Sequence, residues 1–235
     1  MTFYLIGLGL DLKSISVDAL DIIKKCKKVY LEYYTVNFPY KNQELEKSLG
    51  IKIEKLNREQ VEKEKFLDDA KKQDICLLVY GSPLTATTHI SLVLKCKKEE
   101  IKLKILHNSS ILDAVAETGL QAYKFGKITN ITKHESESFF KIIEENKICG
   151  AHSLILLDIG LSVSDALKKL EEIARKRNFK LKEIIICSCL GTKKAVMKYG
   201  KIEKLAKENF KLPACIIIPG NLHFIEKEAL ENLGK

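Results

Sequence analysis

A chain of 235 residues, 46% of them hydrophobic and 30% charged, holds enough apolar mass for two cores and is too apolar to stay disordered. Forty basic against 31 acidic side chains leave a net charge of +9, with the lysines spread over most helical segments as solvated faces. That charge allows an acidic protein or RNA partner, but no aromatic-rich basic motif of the RNA-binding kind accompanies it. No apolar run has the length of a membrane span, and the start of the chain lacks the basic region of a secretion signal, so the expectation is a cytoplasmic protein without a membrane anchor.

A strand over residues 2–6 runs into Gly7-Leu8-Gly9-Leu10-Asp11-Leu12. A dinucleotide-binding loop needs a third glycine where Leu12 stands, which leaves a bend where backbone can approach a ligand. Ser16 caps a helix over 17–26, and a second strand over 29–35 ends in the pair Tyr33-Tyr34. A helix over 43–49, a strand over 51–56 and a charged helix opening at Asn57 and ending before Asp74 come next. The apolar strand 75–80 then meets Gly81-Ser82-Pro83-Leu84-Thr85, whose glycine and proline break both kinds of element. A helix over 88–98 and a strand over 101–106 follow. This alternation predicts a parallel sheet with crossover helices, a first domain over 1–107 and a hinge at Asn108-Ser109-Ser110-Ile111.

The second domain, 108–235, continues with helices over 113–120, 135–147, 164–176 and 202–208, and strands over 128–131, 153–158, 183–189 and 215–218. The fold class is therefore α/β, in two α/β domains. Five of the seven cysteines lie in apolar or amphipathic runs. Cys187 and Cys189 form a Cys-x-Cys pair with no second pair at zinc spacing, so they read as packing and no metal is assigned. The turn from Gly81 to His89 is the first place to look for chemistry, since ligands of open α/β sheets bind beyond the carboxyl ends of the strands. The plain reading of the same segment is a strand-turn-helix junction.

Several segments stand in order over nearly the whole chain: Phe3 to Leu10, Glu32-Tyr33-Tyr34-Thr35, Leu56-Asn57-Arg58-Glu59, Gly81-Ser82-Pro83-Leu84 with Ala86-Thr87-Thr88-His89, and Ser110-Ile111 with Ala114-Val115. Thr118-Gly119-Leu120, Tyr123-Lys124-Phe125-Gly126, His152 to Asp158, and Ile218-Pro219-Gly220-Asn221-Leu222-His223 complete the set. Together they resemble the diphthine synthases, a branch of the tetrapyrrole methylase-like methyltransferases.

The resemblance implies S-adenosylmethionine bound in a cleft between two α/β domains and released as S-adenosylhomocysteine, in a homodimer. It implies methylation of the amino group on a 3-carboxy-3-aminopropyl histidine of translation elongation factor 2, with no direct need for nucleic acid. By position it assigns Leu10, Ser110, Ile111, Leu157 and Leu190 to the cofactor. Three further cofactor positions depart from the pattern: Ser82 replaces an aspartate, Thr85 an aliphatic residue and Ala214 a frequent histidine. The segment between Asp158 and Ser164 is also shorter than usual.

A sulfonium methyl is already activated, so in-line placement of a neutral amine is the main task and no acid-base pair is required. Glu32 and His89 are candidate acceptors for the amine's proton, each with a structural alternative as strand-end partner or helix-start hydrogen bonder. Tyr33 or Tyr34 is expected to face the growing quaternary ammonium. Two rival readings are a methyltransferase of this fold acting on ribosomal RNA or a tetrapyrrole, and a non-catalytic binding protein on the same scaffold.

Overall fold

The computed structural model describes residues 1–233 and divides into two compact units, Met1–Ile111 and Leu112–Lys235. Asn108 to Ile111, expected to open the second domain, thus fall within the first unit.

The first unit is built on β1 (Thr2–Gly7), α1 (Val17–Lys25), β2 (Lys28–Glu32), α2 (Asn42–Leu49), β3 (Glu54–Leu56), α3 (Arg58–Glu62), β4 (Ile75–Val79), α4 (Ile90–Lys98) and β5 (Lys102–Leu106). Its sheet has the order β3-β2-β4-β1-β5, and every pairing is parallel, as the alternation predicts. Strand alternation sorts the core into two layers. Phe3, Leu5, Tyr30, Leu77 and Val79 pack with Leu92 and Cys96 of α4 on one face. Ile6, Leu8, Leu31, Cys76 and Leu78 pack with Ala19 and Ile23 of α1 and Leu45 of α2 on the other. Burial on both faces explains why β4 reads as the unbroken run Ile-Cys-Leu-Leu-Val.

Several boundaries differ from expectation. β2 stops at Glu32, so Tyr33 and Tyr34 lie in the loop beyond it. The charged helix is short: Glu64 adopts a left-handed φ of 57°, and a 3-10 segment, Lys65–Lys71, replaces its second half. α4 begins at Ile90 because Ala86, with φ 54°, holds the preceding residues in bends.

The second unit contains α5 (Ile111–Ala114, shared at the boundary), β6 (Thr129–Ile131), α6 (Ser138–Ile148), β7 (Ser153–Leu157), α7 (Val163–Lys176), β8 (Glu183–Ser188), β9 (Val196–Lys201), α8 (Ile202–Leu205), β10 (Ala214–Ile218) and α9 (Phe224–Leu233). The expected helix over 113–120 is only α5 and a 3-10 turn, Val115–Thr118, closed by Gly119 at φ 83°. The sheet order is β6-β7-β10-β8-β9, with β6 and β7 parallel and the other pairs antiparallel. β9 and α9 have no counterpart in the sequence reading. β9 is an exposed edge strand, Val-Met-Lys-Tyr-Gly-Lys, whose glycine and lysines hide its period. Phe140, Ile143, Leu167 and Leu170 of α6 and α7 cover Ile155, Ile184, Ile186 and Ile216 of the sheet. Among the described residues no helix is long and apolar enough to cross a membrane.

Candidate active site

Three loops meet at the carboxyl edge of the first sheet. The loop after β1 and the turn after β4 are joined at Gly9 and Gly81, whose amides and carbonyls exchange hydrogen bonds of 3.1 and 3.0 Å. The Asn108 side chain, after β5, donates to the carbonyls of Gly7 (3.1 Å) and Ser14 (2.9 Å). These contacts explain the first two glycines without a dinucleotide. A Cβ on Gly7 would lie 2.6 Å from the Gly81 carbonyl oxygen, and one on Gly9, at φ 71°, would lie 2.5 Å from Ser14 Cβ.

Around this joint lie five of the positions singled out in the sequence. Leu10 is buried, and its carbonyl accepts a 3.0 Å hydrogen bond from the Tyr80 phenol. Leu10 Cδ2 and Ser110 Cα approach the Cβ position of Gly81 at 4.0 and 3.7 Å, and Ile111 follows as the first residue of α5. Ser82 and Thr85 are half-buried, and their hydroxyls have no hydrogen-bond partner among the described residues. Apolar walls, fixed backbone and two hydroxyls without a partner among the described residues suit a nucleoside sulfonium or its thioether product, which need a few directed hydrogen bonds in an otherwise apolar surface.

His89 is buried at the end of the turn, with Nδ1 3.1 Å from the Pro83 carbonyl, which also accepts from the Thr87 hydroxyl at 2.9 Å. Burial pushes the imidazole below its ordinary range, so it is neutral, and the carbonyl contact places its proton on Nδ1. Nε2 then carries a lone pair, with no hydrogen-bond partner among the described residues. The histidine thus bonds the turn rather than the helix start.

Glu32 closes β2 and is fully buried. Oε1 accepts a hydrogen bond from the Thr35 hydroxyl, while Oε2 has no partner among the described residues. Burial pushes the carboxyl above its ordinary range, against the pull of the Thr35 hydroxyl, the Tyr34 and Thr35 amides and the Arg58 charge.

The two tyrosines beyond Glu32 already meet cations of the chain itself. Tyr33 stacks on Phe38 at 5.2 Å and 17°, and Lys55 Nζ stands 4.2 Å from its ring centroid. Arg58 Cζ lies 5.3 Å from the Tyr34 centroid. A substrate ammonium reaches the Tyr33 face only in place of Phe38 or Lys55.

In the second unit Leu157 ends β7, half-buried, and Ala214 opens β10 paired with Ser188, two residues before the buried Leu190. The antiparallel pairing of Cys215 with Leu156 brings these three positions to one end of the sheet. Cys187 and Cys215 face each other as buried free thiols, and Cys189, just past β8 at φ 51°, donates its thiol to the Leu212 carbonyl at 3.4 Å. Among the described residues no group of His, Cys, Asp or Glu could hold a metal.

The opposite end of that sheet holds a polar network the sequence reading did not find. Glu226, fully buried on α9, accepts from His152 Nε2 at 3.0 Å, from the Gln121 and His223 amides at 2.9 and 2.7 Å, and from Lys124. Burial opposes ionisation, but these four donors outweigh it and hold the carboxyl at about 2. The Gly220 amide donates to His152 Nδ1 at 2.8 Å, so Nε2 carries the proton. Tyr123 to Gly126, His152 and Pro219 to His223 are therefore one folding unit in space. The one local signal is a glutamate three residues past His223, and its other three partners lie 74 to 105 positions away.

Residues 2–206 match the tetrapyrrole (corrin/porphyrin) methylases. The diphthine synthase of Methanococcus aeolicus is 38% identical over 97% of this chain and 96% of its own. That of Methanocaldococcus jannaschii is 38% identical over 97% of both. The chain belongs to the tetrapyrrole methylases, in their diphthine synthase branch. It is an enzyme, a methyltransferase. The diphthine methyl ester synthase of Saccharomyces cerevisiae is 36% identical over 97% of this chain and 87% of its own. A crystal structure of a diphthine synthase superposes with a TM-score of 0.92 at 32% identity, covering 100% of this chain and 96% of that one. This diphthine synthase branch accounts for the collinear segments from Phe3 to His223, which no single motif could.

Proposed function

We propose that this chain forms diphthine by methylating the amino group of the 3-carboxy-3-aminopropyl histidine of translation elongation factor 2, with S-adenosylmethionine as methyl donor. The full-length match to diphthine synthases carries this reading, and the chemistry of the first unit supports it. The donor supplies an electrophilic methyl group when bound. Leu10, Ser82, Thr85, Ser110 and Ile111 of the first unit, and Leu157, Leu190 and Ala214 of the second, are the cofactor contacts in this reading. The working form is a cytoplasmic homodimer.

The protein's part is to orient the amine and to take its proton. Of the two acceptor candidates Glu32 is favoured. Burial raises the basicity of its carboxylate, and Oε2 is free to accept. Burial has the opposite effect on His89, whose imidazole becomes a weaker base, and its bond to Pro83 explains its place in the fold.

The test is mass spectrometry of elongation factor 2 bearing the aminocarboxypropyl histidine after incubation with this protein and S-adenosylmethionine. Stepwise methyl-sized gains on that histidine are expected, and their number identifies the product. No gain, with an active control enzyme modifying the same sample, overturns the reading. Retained cofactor binding would then point to an acceptor such as ribosomal RNA or a tetrapyrrole, and absent binding to a non-catalytic protein.

A further inference from the structure

Among the described residues Arg58 has no buried ion-pair partner. It is the first residue of α3, directly behind the Asn57–Gln60 capping box, whose two 2.9 Å bonds hold its backbone. Among the described residues its one ion pair is with Glu62, at 3.8 Å and on an exposed surface, an arrangement worth little. The guanidinium instead leans over the Tyr34 ring, with Cζ 5.3 Å from the centroid, and its charge reaches the Glu32 carboxyl. β2 and β3 run side by side with Glu32 opposite Leu56, so the three side chains share one corner of the carboxyl edge. β4 is the next strand, about 4.8 Å further on, and it ends in the Gly81–Thr85 turn.

That corner holds a planar cation with an aromatic face behind it and a buried carboxyl oxygen, and among the described residues the cation's N–H groups and that oxygen have no hydrogen-bond partner. An α-amino acid group carries the complementary set, a carboxylate and an amine on one carbon. We propose that Arg58 binds the α-carboxylate of the acceptor's aminocarboxypropyl group while Glu32 Oε2 faces its amine, so that the enzyme selects acceptors with a free carboxylate. This rests on the diphthine synthase reading above. A guanidinium matches a carboxylate with two parallel hydrogen bonds, and stacking on Tyr34 limits the orientations it can take. A lysine would keep the charge and lose that geometry. Two bonds from the nitrogen, the carboxylate is the nearest fixed handle by which the amine can be aimed.

The experiment compares wild type, Arg58→Lys and Arg58→Ala on elongation factor 2 bearing either the aminocarboxypropyl histidine or its carboxamide. Methyl transfer and S-adenosylmethionine affinity are both measured. The expected result is that Arg58→Ala raises KM for the carboxylate form by about 10- to 100-fold, as for a lost charged hydrogen bond. Cofactor affinity stays unchanged, and the preference for carboxylate over carboxamide collapses. Arg58→Lys retains part of that preference. The clamp is overturned if wild type methylates the factor but Arg58→Ala keeps the same preference, or if wild type never distinguishes the two forms. A wild type inactive on this factor, beside an active control, overturns the functional reading and the clamp with it.

Discussion

His152 and Glu226, both fully buried, stand 3.0 Å apart and tie the start of β7 to the first turn of α9. Removing Glu226 leaves several buried donors without their acceptor, and each unsatisfied buried polar group typically costs about 1–3 kcal/mol. Glu226→Ala is expected to destabilise the protein by at least that much in urea unfolding, and His152→Ala to do so by less, because the carboxylate keeps its bonds from Gln121, His223 and Lys124.

The same network sets an acid limit. The folded-state value of Glu226, about 2, lies below its ordinary 4.5, so its contribution is complete above that ordinary value and is lost as pH falls towards 2. His152 is also held below its ordinary 6.5, chiefly by burial, so the unfolded chain takes up its proton first and stability falls in the same direction. Wild-type stability should decline on acidification from pH 6.5, and steeply below 4.5. Glu226→Gln should flatten the lower part of that curve in pH-dependent urea titrations, and an unchanged slope would remove Glu226 as its source.

Gly9 and Gly81 share a positive φ but not the same surroundings. A side chain at Gly81 meets nothing closer than 3.7 Å, whereas one at Gly9 meets Ser14 Cβ at 2.5 Å. Gly81→Ala should therefore cost about 1–2 kcal/mol, the strain of the left-handed backbone alone. Gly9→Ala should cost clearly more. Equal losses in chemical denaturation would contradict the packing account.

Ser82 lacks the negative charge that an aspartate would bring to a bound methionine ammonium. With the Ser82 hydroxyl unpartnered among the described residues, Ser82→Asp is expected to tighten S-adenosylmethionine binding about tenfold, the scale of one charge-assisted hydrogen bond. Titration calorimetry reads this directly, and weaker binding would exclude the residue from the ammonium's neighbourhood.

Glu32→Gln keeps the shape of the side chain and removes its basicity. The methylation rate should drop about 100-fold, the usual reach of a positioned base. The acid limb of the wild-type rate profile should vanish with it. Because burial raises Glu32, that limb should fall at higher pH than an ordinary carboxylate gives. A variant with wild-type rate and profile would leave the proton to solvent.

The first sheet was legible because its evidence is local. β4 is a solid apolar run closed by Gly81 and Pro83, and strands alternate with amphipathic helices, the pattern of a parallel sheet with crossover helices. Gly7 and Gly9 with no third glycine were legible too, as a strand-to-loop bend without a dinucleotide fingerprint. The resemblance carried the rest of the function, since order along the chain is a property of sequence alone.

Other features depended on partners far away in the chain. β9 has no apolar period of its own and exists by pairing with β8 along six residues, from Glu183↔Lys201 to Ser188↔Val196. α9 is anchored through Glu226 by residues more than 70 positions earlier. The cations beside Tyr33 and Tyr34, Lys55 and Arg58, come from the neighbouring strand and helix and have no signal in the tyrosines' own segment. The sequence by itself determined the parallel core, the turn at Gly81 and the family, because apolar period, chain breakers and motif order are written residue by residue. Tertiary structure alone decided which carboxyls are buried without a partner and which cations stand beside them, because burial and electrostatic pairing are set by distance in space.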